Sequence, residues 1–166
     1  MSPRAVLVGP PGSGKTTVGT LLAGLLGLEY RDTDADVETL TGSTIADLFT
    51  ERGEQYFREL ESEAVRAAVA EHAGVLSLGG GAVLREENRA ALAGQCVVYL
   101  EVDAAEAASR VGLNTARPLL LGNVRGQLNQ LLQQRRPIYE QVATITVNTV
   151  GRPAEEIAAH LAKELA

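Results

Sequence analysis

The sequence predicts an α/β fold with a parallel sheet, and three observations carry that prediction. Short apolar runs alternate with longer helical stretches along the whole chain of 166 residues. The first apolar run leads straight into Gly9-Pro-Pro-Gly-Ser-Gly-Lys-Thr16, which fits G-x-x-x-x-G-K-[ST]. No internal repeat, low-complexity tail or linker divides the chain, so residues 1–166 read as one domain with a full core.

Taken in order, Ala5–Val8 reads as the first strand and Thr16–Leu26 as the helix after it. Glu29–Arg31 is a short second strand, followed by a polar, helix-prone region from Asp34 to Thr50. Glu54–His72 is a long helix, with Phe57, Leu60, Ala64, Val65 and Ala68 along one side. Val75–Leu78 is a strand that ends in Gly79-Gly80-Gly81. A helix over Glu86–Leu92, a buried strand over Val97–Val102 and a short helix over Ala104–Arg110 come next. Gly112–Gly122 has little periodicity and reads as a loop. Gln127–Val142 is helical, with Pro137 placed to kink or interrupt it. Thr144–Val147 is the last strand. Pro153 fits the first turn of a closing helix to Leu165, with Glu155 and Glu156 near its positive end.

Composition removes several classes of function. A formal net charge of −6 argues against a nucleic-acid duplex or an anionic membrane surface as partner, since both attract basic faces. No apolar run reaches transmembrane length, and no signal-peptide core precedes the first strand, so a cytoplasmic enzyme is expected. The single cysteine excludes an internal disulfide; Cys96, just before Val97-Val98-Tyr99-Leu100, is expected to be a buried core thiol. His72 and His160 are too few and too separated to suggest a metal cluster. No stripe of exposed apolar residues stands out, so a monomer is expected. Lys15 and Lys163 are the two lysines; the other basic residues are Arg, the better fork for carboxylates and phosphates.

The glycine-rich loop carries the clearest chemistry. Gly9, Gly12 and Gly14 let the backbone approach a phosphate chain, and the loop N–H groups with the helix N-terminus offer it positive charge. Gly12, Ser13, Gly14, Lys15, Thr16 and Thr17 are the expected nucleotide contacts. Lys15 would reach the β- and γ-phosphates, and the Thr16 hydroxyl would ligate Mg²⁺.

Other residues are ambiguous one at a time. Asp32 and Asp34, two apart at a strand end, would share a side facing the crevice, one holding Mg²⁺ through water and the other taking a hydroxyl proton. The alternative is a helix N-cap, since Asp34 precedes a helical stretch. Gly79 to Gly81 could let a small ligand sit against backbone N–H groups, or form a plain turn. Arg58 and Glu61, three apart on a helix, are either a solvated ion pair or an Arg oriented to grip an anion. Arg117 is either a surface residue or the arm of a lid that closes over phosphates. Arg135-Arg136-Pro137 concentrates positive charge with the same ambiguity.

Together these residues resemble the shikimate kinase family almost from end to end. The match is carried by Gly9–Thr16, Asp32-Thr33-Asp34, Gly53 to Glu61, Leu78 to Ala82, Arg117-Pro118-Leu119-Leu120 and Arg135-Arg136-Pro137-Ile138-Tyr139. The resemblance implies a three-layer P-loop kinase fold, with a five-stranded parallel sheet of order 2-3-1-4-5 and helices on both faces. It implies ATP- and Mg²⁺-dependent phosphorylation of the shikimate 3-hydroxyl. It places Asp34 on the shikimate hydroxyls, Arg58 and Arg135 on its carboxylate, Glu61 behind Arg58, and the Gly79, Gly80 and Gly81 backbone along the pocket. Catalysis would fall to Lys15, Asp34 and Arg117, and the metal to Thr16 and Asp32. Arg110 with the Arg152-Pro153 turn would flank adenine. A substrate-binding region over about 33–61 and a lid over about 112–123 complete the expectation. Another small-molecule kinase of the same fold, of gluconate type, and a nucleotide-dependent switch are the alternatives. The guanine-specific N-K-x-D and the transporter signature S-G-G-Q are both absent.

Overall fold

Strand β1 (Ala5–Val8) lies at the centre of an all-parallel, five-stranded sheet in the computed structural model, which describes residues 2–110 and 121–166. The other strands are β2 (Tyr30–Asp32), β3 (Val75–Ser77), β4 (Val97–Glu101) and β5 (Ile145–Asn148). Their order is β2-β3-β1-β4-β5, as the resemblance implies. The helices are α1 (Lys15–Leu26), α2 (Thr33–Thr41), α3 (Ile45–Arg52), α4 (Glu54–Glu71), α5 (Glu86–Ala91), α6 (Ala104–Arg110), α7 (Leu121–Val142) and α8 (Ala154–Leu165).

Strand pleating divides the core into two layers. Ala5 and Leu7 of β1 join Val18 and Leu22 of α1 and Ile157 and Leu161 of α8 on one face. Val6 and Val8 join Val65 of α4, Leu76 of β3 and Tyr139 of α7 on the other. Burying Val6, Leu7 and Val8 contributes about 1.5–3 kcal/mol for each side chain. A third, smaller cluster of Val37, Leu48 and Phe57 ties α2 and α3 to α4. This sheet order places the loop after β1 between the ends of β3 and β4, where crevices open in such sheets.

Several boundaries differ from expectation, each for a local reason. The region expected to be helix-prone from Asp34 is two helices, and it starts earlier. Asp32 is the N-cap of α2, its carboxylate accepting from Asp34 N–H at 2.8 Å, so Thr33 is already helical. Gly42, at φ 70°, ends α2, and the Thr44 hydroxyl restarts the chain as the N-cap of α3. Helix α7 begins at Leu121, inside the stretch expected to be loop, and runs through Pro137 without interruption. Ile138 and Tyr139 pack into the second core layer there, which holds the turn. Pro153 is the N-cap residue of α8 rather than part of its first turn. Cys96 is half-buried and precedes β4, not the core thiol expected.

Candidate active site

The loop between β1 and α1 is shaped by contacts that exclude side chains. Gly12 has φ 80°, and a Cβ there would stand 2.6 Å from the Ala107 carbonyl oxygen, so α6 seats directly on the loop. Lys15 Nζ donates to the Gly9 carbonyl at 2.7 Å and to the Pro10 carbonyl at 3.1 Å, curling back over the loop. Burial pulls the Lys15 ammonium down to about 8, with the charges of Asp34 and Asp32 opposing that shift. Lys15, Thr16, Asp32, Asp34, Gly80 and Arg110 all line one open cleft of about 530 Å³.

The two aspartates reach this cleft by different routes. Asp32 closes β2, while Asp34 sits in the first turn of α2 instead of continuing an extended strand. The cap is Asp32 rather than Asp34, because the Asp32 carboxylate turns back to the Asp34 N–H, and both acids line the cleft. Burial, followed by the charges of Asp32 and Glu61, pushes the Asp34 carboxyl up to about 6 against the pull of Lys15. Burial also raises Asp32.

Gly79 to Gly81 act as a hub for side chains from α2, α4 and α7. A Cβ on Gly79 would stand 2.5 Å from Asp34 Oδ1 and 2.8 Å from Glu61 Oε2. On Gly80 it would lie 3.5 Å from Arg135 Nη1, and on Gly81 2.5 Å from both terminal nitrogens of Arg58. The Gly79 N–H donates to Thr33 Oγ1 at 3.3 Å, so it is engaged inside the protein. The N–H groups of Gly80 and Gly81 have no acceptor among the described residues.

The pair Arg58 and Glu61 is not a solvated one. Glu61 is 1% exposed and accepts from Arg58 Nη1 at 2.9 Å, while Arg58 also lies 5.3 Å from the Phe57 ring centroid. Glu54 adds an outer contact to Arg58 at 3.4 Å. Arg135, not Arg136, turns toward the glycines. Arg136 is 59% exposed and pairs with Glu140 at 2.8 Å and Glu101 at 3.5 Å, away from the cleft.

Arg110 is a strut between two loops. Its guanidinium donates to the carbonyls of Gly12 and Ser13 and to both oxygens of Thr149, and pairs with Glu106 at 2.9 Å. With Arg152, Thr17 and Ile157 it also lines a small cleft of about 140 Å³ beside the glycine-rich loop. Pro153 caps the helix that carries this wall. Arg117 and residues 112–120 of the lid expected over about 112–123 lie outside the described residues, and the rest of that stretch opens α7.

Three residues of this site are not singled out by sequence reasoning. Thr33 holds Gly79, Tyr139 donates to the Gly80 carbonyl at 2.5 Å while stacking on Tyr99, and Thr149 anchors Arg110. The sequence signal for the first two was present, since Thr33 stands inside D-T-D and Tyr139 ends R-x-P-x-Y. Thr149 had none.

Comparison with known proteins supports the same grouping. The model of the shikimate kinase family matches residues 11–166. A shikimate kinase of Thermobifida fusca is 58% identical over 163 residues, covering 98% of this chain and 95% of that protein. One from Salinispora arenicola is 58% identical over 166 residues, covering 100% and 99%. Among solved structures, shikimate kinase from Acinetobacter baumannii in complex with shikimate superposes with a TM-score of 0.90 at 37% identity, covering 99% of this chain and 93% of that one.

Proposed function

This chain belongs to the shikimate kinase family and transfers the γ-phosphoryl group of ATP to the 3-hydroxyl of shikimate, a step of chorismate and aromatic amino-acid biosynthesis; we propose how its residues share that work. Arg58 and Arg135 grip the shikimate carboxylate, with Glu61 fixing the fork of Arg58. The N–H groups of Gly80 and Gly81, without an acceptor among the described residues, line the pocket beside them. Asp34 accepts from the 3-hydroxyl, which aims that oxygen at the γ-phosphorus. As the new P–O bond forms and the bond to the β-phosphate oxygen breaks, Asp34 takes the hydroxyl proton. Lys15 leaves the loop carbonyls to meet the β- and γ-phosphates, where it offsets developing charge. Arg117 is assigned to the lid over the γ-phosphate, and Arg110, Arg152 and Pro153 to the adenine wall.

The metal end fits Mg²⁺. Among the described residues no group of three or more His, Cys, Asp or Glu forms a metal cage. Mg²⁺ instead favours phosphates, waters and one or two protein oxygens, and Thr16 and Asp32 supply those on the same cleft. Bound there, it would neutralise β- and γ-phosphate oxygens. Asp32 is proposed to act through water.

The observation that carries this reading is the approach of two guanidiniums to adjacent glycines beside the cleft of Lys15 and Asp34. The working form is proposed to be a cytoplasmic monomer. No helix among the described residues is long and apolar enough to cross a membrane. An ADP-release assay with shikimate, gluconate and nucleoside monophosphates tests the substrate. Turnover is expected with shikimate; none with shikimate would overturn the reading, and ATP binding without transfer to any sugar acid would favour the switch.

A further inference from the structure

Two buried hydroxyls stand behind the metal end of the cleft with no assigned role. Tyr30 Oη and Ser77 Oγ are both sealed from solvent, and neither makes a well-formed hydrogen bond among the described residues. A buried hydroxyl left unpaired disfavours the fold, so each calls for an explanation. Parallel pairing puts them together. Tyr30 and Asp32 alternate onto the same face of β2, and Asp32 is in register with Ser77 of β3. That face is the one covered by α1, and Tyr30 packs against its core layer.

Helix α1 has an opening for the ring. Gly19 lacks the Cβ that would overlap Tyr30 Cε1 and would stand 3.0 Å from Cδ1, so the phenol lies flat on the helix. Thr16 is one turn toward the N-terminus from Gly19 on the same face. The phenol hydroxyl consequently faces the hydroxyls of Thr16 and Ser77.

We propose that Tyr30, with Ser77 behind it, is a positioning residue for Thr16, accepting a hydrogen bond from the Thr16 hydroxyl and so turning that oxygen's lone pairs toward the cation. A hydroxyl that ligates a cation becomes a stronger donor and needs an acceptor on its far side. Tyr30 Oη supplies the acceptor and passes its own hydrogen to Ser77 Oγ. No bond is broken in this arrangement; three hydroxyls orient one another. The bonds left unmade in the free protein close when the nucleotide and cation arrive, which explains why the orphans are kept. Groups that hold a metal's ligands typically change affinity by about 10–100-fold.

The inference rests on the assignment of Thr16 to the metal, and the test separates the two. Mn²⁺ binding to the protein–ADP complex is measured by electron paramagnetic resonance, in the wild type and in Thr16→Val, Tyr30→Phe and Ser77→Ala, beside ADP affinity in EDTA. Tyr30→Phe removes one oxygen and keeps the ring. It is expected to weaken Mn²⁺ by about tenfold, with ADP affinity in EDTA and shikimate affinity unchanged and the melting temperature equal or higher. Ser77→Ala in the Tyr30→Phe background is expected to add little. Unchanged Mn²⁺ affinity in Tyr30→Phe, beside an impaired Thr16→Val, would overturn this proposal alone. Unchanged affinity in Thr16→Val would overturn the metal assignment and the proposal with it. An equal loss of ADP affinity in EDTA would show a packing role and also overturn it.

Discussion

Arg58 is pinned from two sides: Nη1 donates to buried Glu61 at 2.9 Å, and the same guanidinium lies flat against Gly81. A methyl group at 81 would stand 2.5 Å from both Nη1 and Nη2. Gly81→Ala must therefore displace the fork, although the backbone at φ −98° accepts alanine without strain. We expect KM for shikimate to rise about tenfold or more, as when a charge-assisted pair is misaligned, with KM for ATP and the melting temperature little changed. Steady-state kinetics with each substrate varied in turn checks it.

Glu61 has a second effect, because its Oε2 faces the glycine that also touches Asp34. Its charge helps to raise the Asp34 carboxyl. Glu61→Gln should loosen Arg58, raising KM for shikimate about tenfold. It should also lower the Asp34 pKa, so the acid limb of kcat/KM moves to lower pH. An acid limb that stays in place would separate Asp34 from Glu61.

Asp34 itself should govern the acid limb and reduce stability. With its carboxyl at about 6 in the free protein, the base form is lost as pH falls through that value, and kcat/KM should fall with it. The folded pKa lies above the unfolded value of 3.8, so the folded state binds the proton more tightly. That contribution is complete below pH 4 and is lost as pH rises through about 6. Asp34→Asn should therefore be inactive yet more stable above pH 6, by about 1–3 kcal/mol, the gain vanishing near pH 4. Thermal melts across this range check the sign.

Much of this was legible in the sequence because the signals are local. Gly9–Thr16 names its chemistry by spacing alone, and the alternation of apolar runs with helical stretches gives the fold class. The strand order came from resemblance, since pairing between β2, β3 and β1 joins residues far apart in the chain. Burial was the hard part. Arg58 and Glu61 look like a surface pair from their i, i+3 spacing; the glycines that enclose them come from another part of the chain. Likewise Tyr30 reads as a plain strand residue until Gly19 opens α1 to its ring. The start of α2 was misplaced because the cap depends on which of two aspartates turns its carboxylate back to the chain. Cys96 was misjudged because apolar neighbours on one side do not seal a residue before a strand.

Convergence of Arg58 and Arg135 on one carboxylate is most directly tested by calorimetric titration of shikimate and of its methyl ester into the wild type and the Arg58→Ala/Arg135→Ala double variant. The ester keeps the ring and hydroxyls but has no carboxylate charge. The account expects the wild type to prefer the acid by at least about thirtyfold, in line with losing one partner of a buried charged pair, and the double variant to show almost no preference. An undiminished preference in the double variant would contradict it.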